Sequence, residues 1–67
     1  MTDAELEAER DAIIAEERSL LEATVRLRET PHDVEGHAAH HERLKAHLAR
    51  VHGYREALLA FYQRSGL

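Results

Sequence analysis

A single proline divides this chain. Pro31 is the only proline among 67 residues, and a helix interior does not tolerate one, because the ring removes a backbone donor and clashes with the preceding turn. Helical spacing of apolar residues runs on both sides of it. Two helices must therefore flank a break near residue 30. A short connection folds such helices back antiparallel.

The seams can be read directly. Leu6, Ile13, Leu20 and Leu27 recur every seven residues, and the heptad then places Arg10, Glu17 and Thr24 at the alternate seam positions. Downstream, Val34, His37, His41, Leu44, Leu48, Val51, Arg55, Leu58 and Tyr62 keep an unbroken three-four spacing, the signature of coiled-coil packing. The expected fold is all-α: a coiled-coil-like, two-helix antiparallel hairpin forming one domain over residues 1–67.

Local signals set its boundaries. Thr2-Asp3-Ala4-Glu5 reads as a capping box, and Arg26 and Arg28 suit the negative end of the helix dipole. These predict helix one over about 3–28. A turn at 29–30 follows. Thr30 is a good N-cap and Pro31 suits the first helical position, where its missing N–H has no partner. Helix two is then expected over about 31–64, closed by Ser65-Gly66. A turn centred near residue 30 or 31 sets Leu27 opposite Val34, Thr24 opposite His37, Leu20 opposite His41, Glu17 opposite Leu44 and Ile13 opposite Leu48.

Each helix carries a second stripe. Ile14, Leu21 and Val25 form it on helix one; His40, His47, Tyr54 and Phe61, spaced by sevens, form it on helix two. One hairpin has one internal contact line and cannot bury both. The leftover face predicts an interface built from Ile14, Leu21, Val25, His47, Tyr54 and Phe61. Its simplest solution is a homodimer forming a four-helix bundle; a different protein partner is the rival occupant.

Charge narrows the partners. The formal net charge is −4, which disfavours nucleic acid, whose binding rests on clustered Lys and Arg. Helix one is acidic and helix two slightly basic, which favours pairing one against the other within a hairpin or across a dimer. No apolar run approaches the roughly 20 residues of a membrane span. The acidic start, Met1-Thr2-Asp3-Ala4-Glu5, lacks the basic opening of a signal peptide, so a cytoplasmic protein is expected. Arg outnumbers Lys and Asn is absent, a bias of GC-rich coding that points to a bacterial source.

All six histidines, His32, His37, His40, His41, His47 and His52, lie in the second half. His37 and His41 are four apart on one helix face, a spacing that can grip a metal, and the seam pairing brings Glu17 near them as a third ligand. A bundle binding zinc, nickel or iron through His37, His41 and Glu17 is the alternative reading. The pattern departs from known signatures: neither Glu35 nor Glu42 is followed by His three residues later and helix one has no His, and Ala38 stands where a zincin has Glu. With no Cys there is no thiolate site, and no cofactor is expected beyond a divalent metal. A pH-responsive association module is a further alternative, since imidazole changes charge near neutrality. A two-helix hairpin offers little concavity for catalysis, so no enzyme is expected. The reading is a small non-catalytic interaction or oligomerisation module.

Ile13-Ile14-Ala15-Glu16-Glu17-Arg18 and Glu42-Arg43-Leu44-Lys45 resemble segments of small bacterial helical-hairpin proteins of unknown function. The resemblance covers about half the chain and rests on motifs generic to coiled coils. It implies a hairpin and no activity, and it carries over no functional residues. The chain departs from that pattern in its His-rich second helix and in having Tyr54 where Trp would be looked for.

Overall fold

The computed structural model describes residues 1–66. Two helices, α1 (Asp3–Arg28) and α2 (Val34–Arg64), pack against each other as an antiparallel hairpin, with no strand among the described residues. The hairpin measures 52 × 15 × 14 Å. None of its helices is long and apolar enough to cross a membrane, among the described residues.

The start of α1 follows its local code. Thr2 accepts from the Glu5 amide and Glu5 returns the bond to the Thr2 amide. That exchange holds the Glu5 carboxyl below its ordinary range. At the far end, Ser65 caps α2 and Gly66 takes a left-handed φ of 73°, a conformation that lacks a steric penalty only without a Cβ.

The second helix begins three residues later than the proline reading places it. The Asp33 amide donates to the Thr30 carbonyl at 3.1 Å, closing a turn with Pro31 in its second position. A fixed φ near −65° suits that position as well as it suits a first helical turn. The cap is Asp33, whose carboxylate accepts from the Gly36 amide at 2.9 Å, and not Thr30.

Packing also differs from the expected seam. Leu6, Ile13 and Leu20 are buried as the heptad predicts. Between them, Glu9, Glu16 and Ala23 turn inward; of the expected alternates Arg10 and Glu17 are exposed, while Thr24 is half-buried and bonds His40 across the hairpin. On α2 the inward residues are His40, His47, Tyr54 and Phe61 with Val51 and Leu58. The expected seam residues Val34, Leu44, Leu48 and Tyr62 are exposed. Helix α2 is thus turned by about one residue, roughly 100° at 3.6 residues per turn. That orientation suits the imidazoles, because α1 offers them carboxylates and a hydroxyl to bond. Among the described residues no side chain is fully sealed from solvent; a single pair of helices has no second layer to close its core.

Candidate functional site

The hairpin has two unlike faces, and the difference originates in the side chains beside the seam. One face is ion-paired. Arg50 donates twice to Glu9, from Nε at 3.0 Å and from Nη2 at 2.6 Å, the forked geometry that suits a carboxylate. Its Nη1 lies 3.7 Å from Glu16 Oε2. Arg43 reaches Ser19 on the same side. The pairing holds the Glu9 carboxyl below its ordinary range and raises Arg50.

His47 joins this network to the opposite face. The residue is 6% exposed. Nδ1 lies 2.5 Å from Glu16 Oε1, and Nε2 lies 3.3 Å from Glu17 Oε1. Carboxylates only accept when ionised, and an imidazole donates from both nitrogens only when protonated. The arrangement therefore favours the imidazolium. The hydrogen bond to Glu16 raises the His47 pKa, burial opposes it, and Glu17 adds to the rise.

His40 is held differently. The Thr24 hydroxyl donates to the Leu20 carbonyl at 2.9 Å, so it accepts from His40 Nε2, also at 2.9 Å. His40 Nδ1 is left buried as a lone pair with no partner among the described residues.

The second face is apolar. Leu21, Leu44, Leu48 and Val51 line an open groove of about 330 Å³ between the helices, with Glu17 and His47 in it. Leu21 and Leu48 are each 67% exposed, and Val25 and Ile14 stand beside them at 57% and 48%.

The residues predicted for an interface are thus divided. Ile14, Leu21 and Val25 do lie on the open face. His47, Tyr54 and Phe61 do not: the turn of α2 brings them inward, buried or half-buried against α1. Their outward places are taken by Leu44 and Leu48.

The predicted metal ligands are not brought together. His37 and His41 are exposed, and His37 Nε2 bonds the Thr30 carbonyl at 3.2 Å. Glu17 instead faces His47, because the longer connection and the rotated α2 shift the pairing of levels. Among the described residues no group of three or more His, Cys, Asp or Glu has an arrangement that holds a metal.

Sequence reasoning missed Glu9, Glu16, Arg50 and the inward role of His47. A signal was present: Glu9 and Glu16 are seven apart, as are Arg43 and Arg50, so complementary charges repeat at the heptad spacing on the two helices. No family pattern, no curated protein and no solved structure matches the chain.

Proposed function

We propose that this chain is a small non-catalytic association module whose apolar face packs against a second copy of itself, forming a four-helix bundle. The surface area carries the reading. The hairpin exposes 5280 Å², whereas a compact monomer of 7.7 kDa exposes about 4,300 Å². The excess of roughly 1,000 Å² matches the roughly 800 Å² per partner that a stable association covers. It coincides with a face presenting Ile14, Leu21, Val25, Leu44 and Leu48, apolar groups whose removal from water drives association.

Charge selects a second copy as the occupant. Helix α1 carries eight carboxylates against four Arg, and α2 three carboxylates against four Arg and one Lys. Each copy therefore supplies both the acidic and the basic helix that the other needs.

Sedimentation equilibrium at neutral pH in EDTA tests this. A mass twice 7.7 kDa is expected. A helical monomer at high micromolar concentration overturns the reading and leaves the groove to a different protein.

A further inference from the structure

The apolar face has two chemically different edges, and they bear on how the second copy sits. On α1, Glu17 lines the groove, and Glu7 and Arg10 line its continuation toward the open end beside Tyr62. On α2, the residues sharing the helical face of Leu44 and Leu48 are His37, His41, Val51, Arg55 and Tyr62. That edge holds no carboxylate.

Two symmetry axes can bring two such faces together. A two-fold along the hairpin's length keeps each residue at its own level and lays α1 of one copy on α2 of the other. A two-fold across the length lays α1 on α1 and α2 on α2, with levels reversed.

The levels are known from the hairpin itself. Thr24 bonds His40, Glu9 bonds Arg50, and Leu21 and Leu44 line one stretch of groove. With the lengthwise axis, Leu21 meets Leu44 and Leu48 of the second copy, and Ile14 meets its Val51. Arg55 arrives at the level of Glu7. Apolar groups meet without any sliding, and the carboxylate-free edge meets the edge that has carboxylates.

The crosswise axis does worse on both counts. It sets the acidic helix against itself and the carboxylate-free edge against itself. It also carries Leu21 and Val25, which lie in the half of α1 nearer the turn, onto the levels of Arg10 and Glu7. Restoring apolar contact requires a slide of roughly 12 Å at 1.5 Å per residue, which uncovers Tyr62 at the open end.

We propose that the two copies are related by a two-fold along the bundle, with both turns at the same end and α1 of each chain against α2 of the other. All neighbouring helices then run antiparallel. This orientation rests on the self-association proposed above.

The test is a nitroxide placed by His32→Cys in the turn. The chain has no other Cys, His32 is exposed, and its side chain makes no hydrogen bond among the described residues. Pulsed dipolar spectroscopy and sedimentation are read on the same labelled sample. A dimer mass with a label separation under about 30 Å is expected, given neighbouring helices 8–10 Å apart. A dimer mass with a separation of about 40 Å or more, the 52 Å length of the hairpin less the slide of roughly 12 Å, overturns the orientation and leaves self-association standing. A monomer mass with no dipolar signal overturns both.

Discussion

Truncating Leu48 to Ala separates a working interface from an idle surface. In the isolated hairpin Leu48 is already 67% exposed, so removing it leaves no cavity there. A monomer should change by less than about 0.5 kcal/mol, as exposed substitutions do. In the dimer the same side chain is covered. Full burial of a Leu contributes roughly 1.5–3 kcal/mol, and two-thirds of that remains to be gained on association, about 1–2 kcal/mol per side chain. Symmetry counts it twice, so Leu48→Ala should weaken the dimer by about 2–4 kcal/mol, roughly 30- to 700-fold in Kd at 1.4 kcal/mol per tenfold. Leu20, at 4% exposure, is the contrast: its truncation should unfold the hairpin itself, with a loss of about 2–5 kcal/mol. Sedimentation equilibrium over a concentration series measures the first effect. Thermal melts at several concentrations check it independently, because only an associating protein has a concentration-dependent midpoint. A Leu48→Ala dimer with Kd within threefold of the parent refutes the reasoning.

Acid and alkali should both destabilise the hairpin. His47 has a raised pKa in the folded state, so its stabilisation is complete below 6.5 and is lost as pH rises through the folded value. Glu9 and Glu5 have lowered values, so theirs is present above 4.5 and lost as pH falls through the folded values. Melts followed by circular dichroism should peak between about pH 4.5 and 6.5, and His47→Gln should flatten the alkaline arm; a midpoint that climbs from pH 6.5 to 8.5 contradicts the His47 geometry. The two helical glycines should respond differently to Ala. Gly53 has open space for a Cβ, and Gly53→Ala should add about 1 kcal/mol in urea denaturation. A Cβ at Gly36 runs into the Asp33 carboxylate, so Gly36→Ala displaces a cap that contributes about 0.5–2 kcal/mol and should give no such gain. Zinc titration gives a further check: with Glu17 turned to His47, Glu17→Gln should leave any zinc-induced change in melting temperature unaltered, and a loss of that change would restore Glu17 as a ligand.

The sequence by itself determined what depends on neighbours a few residues apart. The Thr2 capping box, the end of α1 at Arg28, the Ser65-Gly66 stop and the buried Leu6, Ile13 and Leu20 all follow from contacts within one helical turn or from one helical period. Pro31 marked the break but not its length, since its fixed φ serves a turn and a helix start equally well, and the Asp33 cap decided between them. Periodicity could not choose the inner face of α2. Val34-His37-His41-Leu44-Leu48 and His40-His47-Tyr54-Phe61 both keep a helical repeat and differ by one residue of rotation. Bonds between residues far apart in sequence made that choice: Glu16 to His47, Glu9 to Arg50 and Thr24 to His40. Only the tertiary structure brings those partners within reach, and a helical period is indifferent to which of two adjacent stripes they turn inward.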